Sequence, residues 1–137
     1  MNCKFDTLAM AWLPPECRDD VLTEAFKVSG PGINGSWLYF ADAKGTISLD
    51  ETEVSLLADT QEAFYTSRRW HLSHCNFYWR KLFRSNLLGI KMEAIKNRME
   101  HIAHCGSMAL SENSGHLDEI TTHSIVRLNS GLSQRMK

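Results

Sequence analysis

The chain has 137 residues, a formal net charge of −1, and 43% hydrophobic and 23% charged side chains, the size and balance of one globular domain over residues 1–137 with a core of its own. Near-neutral charge removes the electrostatic argument for a nucleic-acid partner, so the cluster Arg80, Lys81 and Arg84 reads as the solvated face of a helix. No run of about 18 apolar residues forms a transmembrane segment, and the N-terminus lacks the basic-then-apolar pattern of a signal peptide.

Residues 1–13, with Cys3 and Trp12 as their noteworthy side chains, are expected to form a loosely ordered lead-in. Pro14 and Pro15 suit a first helical turn, and Glu16, Asp19 and Asp20 supply the negative charge that a helix N-terminus favours. A helix over residues 15–28 follows, with Val21, Leu22, Ala25 and Phe26 as its apolar stripe, and Ser29-Gly30-Pro31-Gly32 ends it. Residues 37–41 and 46–49 read as a small β-hairpin, in which Asp42 is a turn former rather than a cation ligand. Asp50 with Glu53 makes a capping box that opens a helix to Ala58.

From Thr60 to Ser85 the pattern is helical and aromatic; Asn86-Leu87-Leu88-Gly89 signals a turn; and a second helix over residues 91–110 carries Met92, Ile95, Met99 and Ile102 as an apolar seam. Beyond it, Ser114-Gly115 is a break, residues 117–126 suit a short helix, and residues 129–137 look frayed. The expected fold is therefore mainly α: a helical domain built on an antiparallel αα-hairpin, with the small β-hairpin near residues 37–49 beside it.

The hairpin carries one five-residue phrase twice, His71-Leu72-Ser73-His74-Cys75 and His101-Ile102-Ala103-His104-Cys105. On a helix each copy spreads its two histidines and its cysteine over an arc of roughly 100°. The motif centres share a midpoint at residue 88, inside the turn, so both reach the same height on helices packed roughly 8–10 Å apart. Facing imidazoles at that spacing can share a metal ion or hold two, and imidazole suits zinc, copper, iron and nickel alike.

Cys75 and Cys105 are open to three roles: metal ligands, a disulfide, or buried thiols. Counting from a tight turn sets them roughly 6 Å apart along the axis. Cys3 and Cys17 pair with each other or with nothing, and His116 and His123 read as surface histidines. Trp70 and Tyr78 are candidates for a substrate pocket, Tyr78 because it follows His74 by one helical turn, although core packing is the ordinary fate of such aromatics. Glu100 points about 100° away from His101, which disfavours a two-histidine, one-carboxylate iron site, and nothing recommends hydrolytic or nucleotide chemistry.

The doubled HxxHC phrase, with Trp12-Leu13-Pro14-Pro15-Glu16-Cys17 upstream and Phe64-Tyr65-Thr66-Ser67 before the first copy, resembles the UstYa-like family of fungal natural-product oxidases from Trp12 to Cys105. The resemblance implies a copper-dependent oxidoreductase of secondary-metabolite and mycotoxin biosynthesis. Such an enzyme uses one or two copper ions, with dioxygen or a peroxide as oxidant. It functionalises unactivated C–H bonds of a small-molecule or peptide substrate by oxidative cyclisation, hydroxylation, desaturation or halogenation. His71, His74, His101 and His104 would be its ligands, and copper is chosen by the resemblance alone. Family members usually carry an N-terminal membrane anchor, a pattern this chain lacks; the sequon Asn34-Gly35-Ser36 fits the lumen of the secretory pathway. The alternative is a non-enzymatic zinc-stabilised interaction module or a copper-binding protein, and a site near a helical seam can be completed across a homodimer.

Overall fold

The computed structural model describes residues 2–93, 99–111 and 115–128. The fold is mixed α/β, not the expected mainly α: among the described residues there are four α-helices and six strands in two antiparallel sheets. β1 (Lys4–Asp6) pairs with β2 (Ala11–Leu13). β3 (Tyr39–Phe40), β4 (Ser48–Leu49), β5 (Phe64–Thr66) and β6 (Thr122–Ser124) form the second sheet in the order β4-β3-β5-β6. The helices are α1 (Asp20–Lys27), α2 (Glu51–Thr60), α3 (Arg68–Leu88) and α4 (Met99–Leu110). Every strand is two or three residues long, too short for the alternation that marks a strand in sequence.

The expected lead-in is instead a built element. Thr7, Leu8, Ala9 and Met10, between β1 and β2, are all buried, and Leu8 has no exposed surface. Asp6 organises this loop: one carboxylate oxygen accepts from the Ala9 N–H at 2.8 Å and the other from the Thr23 hydroxyl of α1 at 2.9 Å. Burial pushes its carboxyl above the usual range, and the Lys81 charge and these hydrogen bonds oppose the shift without cancelling it. The chain after β6 closes onto the same hairpin, with the Arg127 N–H donating to Met10 and the Trp12 N–H to Arg127.

The expected first helix divides into a single tight turn, Pro15–Cys17, and α1. Asp19 caps α1 by accepting from the Leu22 N–H at 3.2 Å. Leu22, Thr23 and Phe26 face the core, while Val21, 74% exposed, lies outside. Starting the helix at Asp20 makes Thr23, in the same row as Phe26, the inward residue in place of Val21 and Ala25.

Asp19 also takes both Arg84 nitrogens of α3. Burial would raise its carboxyl, but the Arg84 hydrogen bond, the Leu22 N–H and the charges of Arg84 and Lys81 together hold it below the usual range. Asp19→Ala is expected to cost about 1–2 kcal/mol at neutral pH, read as a lower urea midpoint. Because the folded value is depressed, the contribution is complete above the unfolded carboxylate value of about 4 and is lost as pH falls through the folded one. The two proteins should therefore converge in acid.

β3 and β4 form the expected hairpin, with Tyr39 opposite Leu49 and Phe40 opposite Ser48. Asp42 accepts from the Thr46 and Ile47 N–H groups and the Thr46 hydroxyl, a turn-forming role. The Asp50–Glu53 capping box opens α2, which ends at Gln61 in the left-handed region.

The long aromatic helix expected from Thr60 begins late. Phe64–Thr66 is strand β5, the Ser67 hydroxyl then caps α3 by accepting from the Trp70 N–H at 3.1 Å, and Gly89 closes the helix at φ 69°. The Phe26 ring is a hub of the core, with ring centres of Phe77 at 5.3 Å, Trp37 at 5.4 Å and Trp70 at 6.0 Å. Lys81, expected on a solvated face, is 0% exposed and donates to buried Glu93 at 2.9 Å.

Past Gly89 the chain does not turn straight back. The Lys91 N–H donates to Glu16, Met92 packs on the core and Glu93 is buried, so residues 91–93 are not the helix expected there, and the described part of the second helix is Met99–Leu110. The expected seam is not a buried stripe: Met99 is 74% exposed, and Ile95 lies outside the described residues. The expected C-terminal helix is replaced by β6, paired to β5 through Thr122↔Thr66 and Ser124↔Phe64. Ser114 and the tail from Asn129 lie outside the described residues. Among the described residues no helix is long and apolar enough to cross a membrane.

Candidate metal centre

The two phrases face each other across one cavity. α3 carries His71 and His74, α4 carries His101 and His104, and the cross-helix ring pairs are His71 with His104 at 5.3 Å and His74 with His101 at 6.0 Å between centres. Both pairs are centred between Leu87 and Leu88 in sequence, next to the midpoint obtained by counting, although the connection is longer than a tight turn. All four histidines line a cavity of about 230 Å³ that also takes in Ala9 and Met10 of the N-terminal loop, Trp70, and the β6 strand with the residues after it.

His74 is the best anchored of the four. It is 4% exposed, and its ring lies between Trp70 one turn before and Tyr78 one turn after, each at 4.9 Å. Its Nδ1 lies 2.7 Å from the Leu8 carbonyl oxygen. Only a protonated Nδ1 can make that bond, since a carbonyl oxygen only accepts, so a neutral His74 carries its lone pair on Nε2. The loop read as a lead-in thus fixes a tautomer in the site. Met10, on the cavity wall, holds φ 51°, a conformation costly for a side chain of its size and found most often where function demands it.

Trp70 lines the cavity and is fixed from behind by donating its indole N–H to the Tyr39 hydroxyl at 3.1 Å. Tyr78, the other pocket candidate, stands behind the wall. It is 1% exposed, packs edge-on against His101 at 5.8 Å and donates to Glu93 at 2.7 Å. It is not among the residues lining the cavity, and its ring packs against those of His74 and His101.

Cys75 and Cys105 form a disulfide, with Cα atoms 5.6 Å apart and exposures of 1% and 0%. Of the three roles left open by the sequence, ligand and thiol are thereby removed, and the donor set reduces to imidazoles. The axial gap obtained by counting presumed a tight turn. The longer connection relaxes that register, and the opposite lean of Cβ atoms on antiparallel helices brings the two sulfurs toward each other. Cys3 is exposed and Cys17 buried, and they are not joined to one another.

His123, read as a surface residue, is exposed, and it also lies on β6 among the residues lining the same cavity, its ring 6.0 Å from that of Tyr65. Nothing near it in sequence resembles HxxHC; pairing of β6 with β5 puts it there. His116 is exposed and does not line this cavity.

Two imidazoles on one ion, each with a metal–nitrogen bond of about 2.0 Å, place their ring centres roughly 4.5–6.5 Å apart. Each cross-helix pair falls in that range. Among the described residues no three His, Cys, Asp or Glu side chains already converge on a single point, so closing a three- or four-ligand sphere requires side-chain rotation about the existing backbone. The donor chemistry fits a copper ion: neutral nitrogen ligands, one with its tautomer set, around a cavity open to a co-ligand. The chain matches no family model, no curated protein and no solved structure.

Proposed function

We propose that this chain is a copper-dependent oxidase or oxygenase-type enzyme of fungal secondary-metabolite biosynthesis, as its resemblance to the UstYa-like proteins implies. The observation that carries the reading is the meeting of the two HxxH phrases, His71 with His104 and His74 with His101, across one cavity. These four histidines would hold one or two copper ions. When bound, copper supplies one-electron redox chemistry with dioxygen or a peroxide, which is what oxidation of an unactivated C–H bond demands.

The chain's own residues do the rest. Leu8 and Tyr78 hold His74 in place, the disulfide holds α4 against α3, and Trp70 offers an aromatic wall to a small-molecule or peptide substrate. A disulfide of this kind suits an oxidising compartment such as the secretory lumen. A closed structural zinc site is the weaker reading, because both cysteines are bonded to each other and the aromatic core around Phe26 packs without a metal.

Elemental analysis of the purified chain, before and after copper loading, tests this beside a variant with His71, His74, His101 and His104 all replaced by alanine. One or two coppers per chain are expected, lost in the variant, with the circular dichroism of the metal-free protein largely unchanged. Stoichiometric zinc that copper displaces only on unfolding would overturn the reading.

A further inference from the structure

We propose that the cavity wall formed by β6 and the residues after it binds an oxyanion on the substrate, held by Arg127 and Thr122 opposite the histidines. The inference rests on the cavity being a substrate site, as proposed above, and adds the chemical class of the group that orients the substrate there.

The first support is the sign of the charge. Five histidines, His71, His74, His101, His104 and His123, and one arginine line the cavity, and among the described residues no aspartate or glutamate does. Neutral imidazoles add no charge, so Arg127 sets the sign of the cavity, and a cation held by the imidazoles would gain no counter-charge from the lining; both favour an anionic ligand.

The second support is the state of the donors. The basic side chains of the neighbouring elements are engaged: Arg69 with Asp118, Arg84 with Asp19, Lys81 with Glu93. Among the described residues the Arg127 guanidinium makes no hydrogen bond or ion pair, yet its backbone is fixed on both sides, N–H to Met10 and carbonyl to Trp12. Thr122 is 9% exposed, lines the cavity, and its hydroxyl is buried with no hydrogen-bond partner among the described residues. A buried hydroxyl left unmatched is costly, and the cost is removed when a ligand completes the bond. Arg127 and Thr122 line the same cavity, and a planar guanidinium together with a hydroxyl donor can take a carboxylate or phosphate oxygen pair.

The probes are phenylacetate, its uncharged isostere phenylacetamide, and phenyl phosphate, titrated into the full chain after chelator treatment and read by the histidine ring NMR signals. Phenylacetate is expected to shift the His71 and His123 signals saturably, and phenylacetamide to leave them in place. Arg127→Gln should weaken the anion about tenfold or more, Arg127→Lys by less, and the isosteric Thr122→Val by a smaller factor of its own. The stronger of phenylacetate and phenyl phosphate identifies the natural oxyanion as carboxylate or phosphate. Equal response to phenylacetamide, an unchanged Arg127→Gln titration, or silence with both anions would each overturn the proposal. Arg127 is exposed, so its substitution leaves the fold standing. The titration contains no copper, so its failure and a failure of copper loading are separate results.

Discussion

Removing the Cys75–Cys105 disulfide, by reduction or by Cys75→Ser with Cys105→Ser, is expected to release α4 and to cost roughly 3–4 kcal/mol, the chain-entropy value for a closed loop of this size. Nothing else described holds α4 so firmly. Cys105 is its one buried side chain; Met99 and Leu110 are 74% and 85% exposed. Its other ties include ring contacts through His101 and His104 and a long hydrogen bond from Arg68 to the Met108 carbonyl. α3, buried along Trp70, Phe77 and Tyr78, keeps its place without the bridge. The loss should therefore be partial in structure and severe for the proposed copper site: helical signal falls by about the share of one short helix, while copper affinity should drop roughly ten- to a hundredfold because two of the four proposed ligands lose their fixed position. Thermal melts with and without reductant, paired with a copper competition titration, read both effects. Unchanged melting and unchanged affinity would mean that the imidazole contacts alone hold α4.

The meeting of the two motifs was more legible in the sequence than the fold was, and the reasons are physical. A doubled HxxHC is a local pattern whose meaning survives errors in what surrounds it: residues 91–93 are not the helix expected there, yet His71 still meets His104 and His74 still meets His101. Caps and turns were legible for the same reason, since the Asp50–Glu53 box and the Asp42 turn each depend on a few adjacent residues, whereas the turn read at residues 86–89 is helix through Leu88 and only Gly89 leaves it. What stayed hidden depends on distant partners. Phe64–Thr66 reads as aromatic helix until β3 and β6 pair with it. Residues 7–10 look unremarkable until Asp6 gathers them and Leu8 accepts from a histidine 66 residues away. The continuous apolar run Leu8-Ala9-Met10-Ala11-Trp12-Leu13 was the one cue that this stretch is buried.

Lys81→Met should be the most destabilising single substitution outside the aromatic core, at about 3–5 kcal/mol. Lys81, Glu93 and Asp6 are 0%, 3% and 2% exposed, so a cation and two carboxylates share one buried site beneath α3. One Glu93 oxygen accepts from both the Lys81 ammonium at 2.9 Å and the Tyr78 hydroxyl at 2.7 Å, while the other has no hydrogen-bond partner among the described residues. Burial, with Glu93 and Asp6 charge beside it, pushes the Tyr78 hydroxyl well above its ordinary pKa, so it stays a donor. Methionine fills the space of the lysine but leaves two carboxylates with no cation. Asp6 would then take up a proton more readily, and the sign follows: its carboxyl is already raised by burial and loses the Lys81 charge that opposed the rise. Stability of the variant should fall as pH climbs from the unfolded carboxylate value of about 4 toward neutrality. Urea midpoints at pH values of about 5 and 8 should accordingly lie further apart for Lys81→Met than for the parent chain. Lys81→Met with Glu93→Gln should recover part of the loss, because an amide still accepts from Tyr78 and carries no charge. Recovery would identify the stranded charge as the main cost; a double variant no better than the single would assign the cost to lost packing instead. Either way Tyr78 transmits the outcome to the site, since the residue bonded to Glu93 is the one packed against His74 and His101.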